Sequence, residues 1–182
     1  MSRLGPWRPT SADERLDRVE SLAEIQQLPA RYALALDSRD MDALVSLFVP
    51  DVRVGPDERG RDALKVWFTE AMKRPHVSVH FVGNHIVDFD DADHAHGIVY
   101  CHDELERPES GAWELGKLQY WDDYARVDGE WCFARRRFHR WYLVDAQTRP
   151  SPGAGVNDGR DPLPAGLLPD AFDTWHEFWR QG

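Results

Sequence analysis

Four segments in the second half of the chain constrain its fold most: VSVHFVGNHIVDF (77–89), AHGIVYCHDEL (95–105), ELGKLQYWDDYARV (114–127) and EWCFARRRFHRWYLV (130–144). Each is rich in β-branched and aromatic residues, and short turn signals such as DDADH and DG part them. Long strands joined so tightly pair with their chain neighbours, which gives an antiparallel meander. Such a sheet must bury one face, and the residues before Pro75 supply the cover.

That first half reads as helix. Apolar residues at three- and four-residue spacing run from about Asp13 through Ile25, Leu28, Tyr32, Ala35 and Leu36, with Ser11 as N-cap and Glu14 completing a capping box. A short helix, MDALVSLFV, follows the N-cap Asp40; VPDVRVGP breaks into a first strand; RDALKVWFTEAMK follows Gly60. Three helices followed by a strongly curved antiparallel sheet make an α+β architecture whose pocket lies at the open end of the sheet. The chain divides into an N-terminal tail (1–12), one domain (13–145) and a Pro/Gly-rich extension (146–182). In the extension DAFDTWHEFWRQG resumes a helical pattern with Phe172, Trp175, Phe178 and Trp179 as an aromatic stripe. The stripe packs on its own domain or serves as a lid or subunit contact.

Several classes of function are disfavoured. A formal charge of -10 argues against nucleic acid and anionic membrane surfaces as partners, and admits a neutral or cationic ligand more easily. Cys101 and Cys132, without a CxxC pattern or a secretory h-region, read as reduced core residues. With no apolar run near 18 residues, a soluble cytoplasmic protein is expected. His94, His96 and His102 lack metal-ligand spacing, and GxGxxG, Walker and GxSxG motifs are missing, so neither metal nor cofactor is expected.

The candidate chemistry begins with an oddity. Asp37 stands where the first helix ends, a place whose partial negative charge disfavours an anion by about 0.3 to 1 kcal/mol. His80 lies mid-strand, and alternation puts Ser78, His80, Val82 and Asn84 on one face. If that face is concave, a carboxylate on one ring nitrogen leaves the other free to take a proton, and Asp37 is the candidate orienter. Tyr32, five positions earlier, is about 140° around the helix from Asp37, so both reach one cavity only if the helix end tightens or crosses its mouth. Alternation also groups Arg136, Phe138, Arg140 and Tyr142. Those arginines form a solvated, ion-paired face, or point inward to pair with a carboxylate or a developing anion. Small residues on the strand around Cys101 leave room for a ligand, which would make Asp103 a pocket carboxylate; otherwise it is solvated at a strand end. Tyr120 is a further pocket candidate.

The order IQQLPARYALALDSRDMDALVSLFVPD, VSVHFVGN and YARVDGEWCFARRRFHRW resembles the SnoaL-like branch of the nuclear-transport-factor-2-like superfamily, in particular bile-acid 7α-dehydratase, scytalone dehydratase and lindane dehydrochlorinase. The likeness covers residues 13–145. It implies a cone-shaped α+β barrel with Asp37 and His80 as the family's Asp-His dyad. Tyr32 and Arg140 match a tyrosine and a last-strand arginine of the bile-acid enzyme. Pro29, which interrupts the first helix, and the C-terminal extension depart from the pattern.

The resemblance implies a cofactor-independent lyase, of dehydratase type, acting on a hydrophobic cyclic substrate such as a steroid or polyketide, in a homo-oligomer (trimer or dimer). In it His80 is the general base, Asp37 its orienter, Tyr32 a partner of the leaving group or substrate oxygen, and Arg140 a stabiliser of negative charge. Asp103, Tyr120 and Asn84 would contact the substrate. The alternatives are an isomerase or polyketide cyclase using the same base, and a non-catalytic binding or assembly module.

Overall fold

The computed structural model describes residues 5–148, 151–159, 165–168 and 170–180. Its elements are α1 (Ala12–Asp37), α2 (Met41–Ser46), β1 (Arg53–Val54), β2 (Glu58–Arg59), α3 (Arg61–Ala71), β3 (Ser78–Phe89), β4 (His94–Glu106), β5 (Trp113–Val127), β6 (Glu130–Asp145), β7 (Gly166–Leu167) and α4 (Asp173–Arg180). β3 to β7 form one sheet in chain order, antiparallel except for the parallel pair β6–β7. The architecture is α+β, and the barrel is an open one, with β3 and β7 as its edges.

Local chemistry accounts for most boundaries. Ser11 and Glu14 form the expected capping box, and the Asp40 carboxylate accepts from Ala43 N–H to start α2. Asp128 and Gly129 both take positive φ, as the two-residue turn between β5 and β6 requires. Pro29 does not interrupt α1, which runs unbroken through it. Ile25, Leu28, Tyr32 and Leu36 are buried around it, and each such side chain contributes about 1.5–3 kcal/mol, enough to offset the lost N–H donor.

The core lies between α1 and the concave face of the sheet, where Tyr32 packs edge-on against Phe48, Phe68, Tyr120 and Phe133. A bidentate ion pair from Arg126 to Asp17 ties α1 to β5. Register shifts between Val82 and His85, Lys117 and Leu118, and Asp123 and Tyr124 mark bulges, which bend the strands and restart the inward/outward alternation.

The extension lies on the convex side. Leu168 N–H donates to Arg140 O, Leu168 is buried, and Phe172 packs against Trp121 and Trp141. Trp175 is partly exposed, and the Phe178 and Trp179 side chains lie outside the described set. Among the described residues no helix is long and apolar enough to cross a membrane.

Candidate active site

The site starts where α1 stops. Ser38 caps the helix, and Arg39 enters the left-handed region at φ 60°. That turn aims the Asp37 carboxylate across at the edge strand β3, where Oδ2 accepts from the His80 backbone N–H at 2.8 Å and Oδ1 from the His80 ring Nδ1 at 2.7 Å. Ser78 Oγ donates to the same Oδ1 at 2.9 Å. The Arg39 guanidinium fixes the corner, donating to Ser78 Oγ at 2.7 Å and to the carbonyls of Leu36 and Pro75. Burial alone would raise the Asp37 carboxyl, but the hydrogen bond and charge of His80, its backbone N–H and Ser78 together hold it below the ordinary carboxylate value. An ionised acceptor makes Nδ1 the protonated nitrogen of a neutral ring, so Nε2 carries the lone pair. Nε2 has no hydrogen-bond partner among the described residues, and the side chain is 9 % exposed against 25 % for Asp37.

His80 lines a cavity of about 870 Å³ between α1, α3 and the sheet, together with Tyr32, Asp103, Tyr120 and Arg140. Most of its wall is apolar or aromatic, including Phe48, Leu64, Trp67, Phe68 and Phe138. Volume and lining suit a compact hydrophobic molecule. Tyr32 faces this cavity and Asp37 faces β3, so the angle between them on α1 is no obstacle: only Tyr32 has to see the hollow. Burial pushes the Tyr32 phenol up to about 12, which keeps it a hydrogen-bond donor at neutral pH. Tyr120 is likewise raised by burial.

Asp103 stands opposite His80 in the β3–β4 register. It is not solvated: both oxygens accept from Arg140, at 3.0 and 2.8 Å, in a fully buried pair. Burial would raise the Asp103 carboxyl, but the Arg140 guanidinium outweighs it and holds the carboxyl low. A Cβ on Gly116 would collide with Asp103 Oδ1 and Arg140 Nη1, so only glycine fits the cross-strand position beneath them. The arginines of β6 divide. Arg137 pairs with Asp123 at the surface, whereas Arg136 is buried, bidentate to Asp122, and covered by the rings of Tyr32, Tyr120 and Phe133.

Asn84 is not brought to this cavity. Gly83 and Asn84 together oppose Tyr100 in the bulge, so Asn84 turns outward and His85 inward. It lines a separate space of about 490 Å³ on the convex face, with Phe81, Tyr100 and Trp141. Tyr142, grouped with Arg140 by alternation, lines that outer space too, because the register shift at Lys117/Leu118 lies between them. Sequence reasoning missed Ser78, Arg39, Gly116 and the Arg136–Asp122 pair. Ser78 shared a face with His80 from the start, and that was its only signal. Cys101 and Cys132 are free buried thiols, and burial pushes Cys101 up to about 12. Among the described residues no group of three or more His, Cys, Asp or Glu could hold a metal ion.

Residues 17–137 match the SnoaL-like domain family. The uncharacterized protein Rv2910c of Mycobacterium tuberculosis is 31% identical over 131 residues, covering 65% of this chain and 84% of that protein. Among solved structures, hexachlorocyclohexane dehydrochlorinase LinA-type3 from Novosphingobium barchaimii superposes with a TM-score of 0.66 at 25% identity, over 76% of this chain and 99% of that one. A protein from Novosphingobium aromaticivorans assigned as a scytalone dehydratase shares the fold, with a TM-score of 0.63 at 24% identity over 75% of this chain and 95% of that one.

Proposed function

This chain belongs to the SnoaL-like domain family, and on that premise we propose that it is a cofactor-independent lyase that eliminates water or halide from a hydrophobic cyclic small molecule of steroid or polyketide type. One observation carries the reading: a cavity-lining imidazole held through Nδ1 by a half-buried carboxylate, with Nε2 left as a lone-pair acceptor. Dehydrochlorinase and dehydratase names among the structural relatives support it.

In this reading His80 Nε2 removes a proton from a carbon next to an electron-withdrawing group, and the C–H electron pair becomes the new C=C bond. The bond to the leaving group breaks; hydroxide departs as water with the proton His80 removed, whereas halide departs as the anion. Asp37 is a positioning residue that fixes the tautomer and balances the imidazolium. The Tyr32 phenol hydrogen-bonds the substrate oxygen. Arg140, committed to Asp103, supplies positive field where negative charge develops rather than a free bidentate clamp. A positioned base contributes about 10²- to 10⁴-fold.

The test is a panel of hydroxysteroids and aromatic polyketide alcohols incubated with the protein and followed by mass spectrometry. Loss of water that disappears in His80→Ala supports elimination; a product of unchanged mass assigns rearrangement instead, and turnover undiminished in His80→Ala overturns the assignment. Self-association is part of the proposal, because Phe81 on β3 is 72% exposed beside Val79 and Tyr100 on the convex face. Sedimentation of Phe81→Glu against the parent protein tests it.

A further inference from the structure

We propose that the molecule entering the cavity carries an oxyanion (carboxylate, sulfonate or phosphate) on the end that stays at the rim, where Arg53, Arg74 and Arg135 receive it. This rests on reading the cavity as the substrate site, and adds the charge of the ligand.

The chain has 32 acidic against 22 basic residues, yet among the described residues the charged groups lining the cavity run the other way: seven arginines and one acid, Asp103. Four of the arginines are accounted for by carboxylates. Arg140 is paired with Asp103 and Arg136 with Asp122, while Arg107 meets Glu114 and Arg137 meets Asp123. Three remain, all exposed. Arg53 donates to the carbonyls of Gly55 and Pro56, which orient the guanidinium without neutralising it. Arg74 and Arg135 have no ion-pair partner among the described residues.

Elsewhere some exposed cations are paired, Lys65 with Asp42, Lys73 with Glu70 and Arg59 with Asp51, while Arg8, Arg15, Arg31 and Lys117 are scattered without an ion-pair partner among the described residues. What distinguishes Arg53, Arg74 and Arg135 is that they line one cavity. Three arginines without an ion-pair partner among the described residues, gathered on the lining of one cavity in a protein with formal charge -10, make the local charge there positive, and a ligand would feel that local field rather than the net charge. All three are arginine, whose planar fork matches carboxylate, sulfonate and phosphate better than an ammonium does. An apolar body in the hollow with a charged end outside would use both halves of the site.

The test uses a matched probe pair, anionic 1-anilinonaphthalene-8-sulfonate and neutral N-phenyl-1-naphthylamine, titrated by fluorescence at low salt. The sulfonate should bind at least about 10-fold more tightly, and added salt should erode the difference. In the Arg53→Gln/Arg74→Gln/Arg135→Gln variant the preference should collapse to within about twofold while affinity for the neutral probe is kept, which also shows the variant is folded. If that variant fails to fold, Arg135→Gln alone should reduce the preference by about threefold. Competition with 2-naphthoate and 2-naphthyl phosphate ranks the anion classes. No preference in the parent protein overturns the proposal, as does a preference untouched by the rim changes or removed instead by Lys117→Gln at the outer space. Elimination without an anion preference sinks this inference and spares the lyase reading; a rim-dependent preference without elimination does the reverse.

Discussion

His80 and His85 sit five residues apart on β3 and both face the inside of the sheet, because the bulge between them absorbs the odd residue. Their partners make them opposites. His80 gives Nδ1–H to a carboxylate and keeps Nε2 as an acceptor beside the cavity. His85 meets the Tyr124 hydroxyl at 2.9 Å through Nε2, and since that hydroxyl already donates to Asp122, the ring must donate Nε2–H and hold Nδ1 bare. Nδ1 of His85 is buried without a described partner, and burial pushes the ring down to about 4. One imidazole is poised to accept a proton from a guest; the other is locked neutral as packing. Residue type and strand position are shared, so the tautomer-setting partner and access to the hollow are what separate a candidate base from a structural ring.

The strongest way to break this contrast is to exchange consequences. His80→Ala should lower turnover by about 10²- to 10⁴-fold in a protein that still folds, whereas His85→Ala should leave the chemistry and cost stability. Comparable rate losses in the two variants would erase the distinction. Asp37→Asn should cost about 10²-fold in kcat, because a neutral amide can hydrogen-bond either tautomer of His80; a steady-state titration with an established substrate reads it.

Stability sharpens the comparison next. Gly116→Ala should remove about 3 kcal/mol in denaturant unfolding, since its methyl group would force apart the buried Asp103–Arg140 pair. His85 sets a smaller, pH-dependent effect. Between its ordinary value of 6.5 and about 4 the unfolded chain takes up a proton that the folded ring refuses, so its contribution is complete above pH 6.5 and fades as pH falls toward 4. The loss should be about 2 kcal/mol after solvent screening, and His85→Gln should flatten that slope. Asp37 and Asp103, both held low, act below that window, their contributions fading as pH falls beneath the ordinary carboxylate value. Smallest of all, Asn84→Ala should keep kcat/KM within about twofold, because the residue lies on the other face of the sheet.

Much of this was legible in the residues, and the exceptions share a cause. Period-2 alternation located the four long strands, and caps located the helix starts, because those signals are local. The anion at the end of α1 was legible as a broken rule, and the structure supplies the reason: its oxygens are used up by β3. Bulges are not written in alternation, which by itself groups Asn84 with His80 and Tyr142 with Arg140. Pro29 reads as a breaker because a lost N–H is local, while the packing of Ile25, Leu28 and Tyr32 that outweighs it is not. The arginine run reads either as a solvated face or as inward-pointing pairs; two buried acids, Asp103 and Asp122, draw Arg140 and Arg136 inward, and only the sheet register brings those acids there.

The most direct test is the ring nitrogen-15 spectrum of the two histidines at pH 7.5. The account predicts opposite tautomers, with His80 protonated at Nδ1 and bare at Nε2, His85 protonated at Nε2 and bare at Nδ1, and the His80 preference lost in Asp37→Asn. An Nε2–H tautomer at His80, or the same tautomer in both rings, would contradict it.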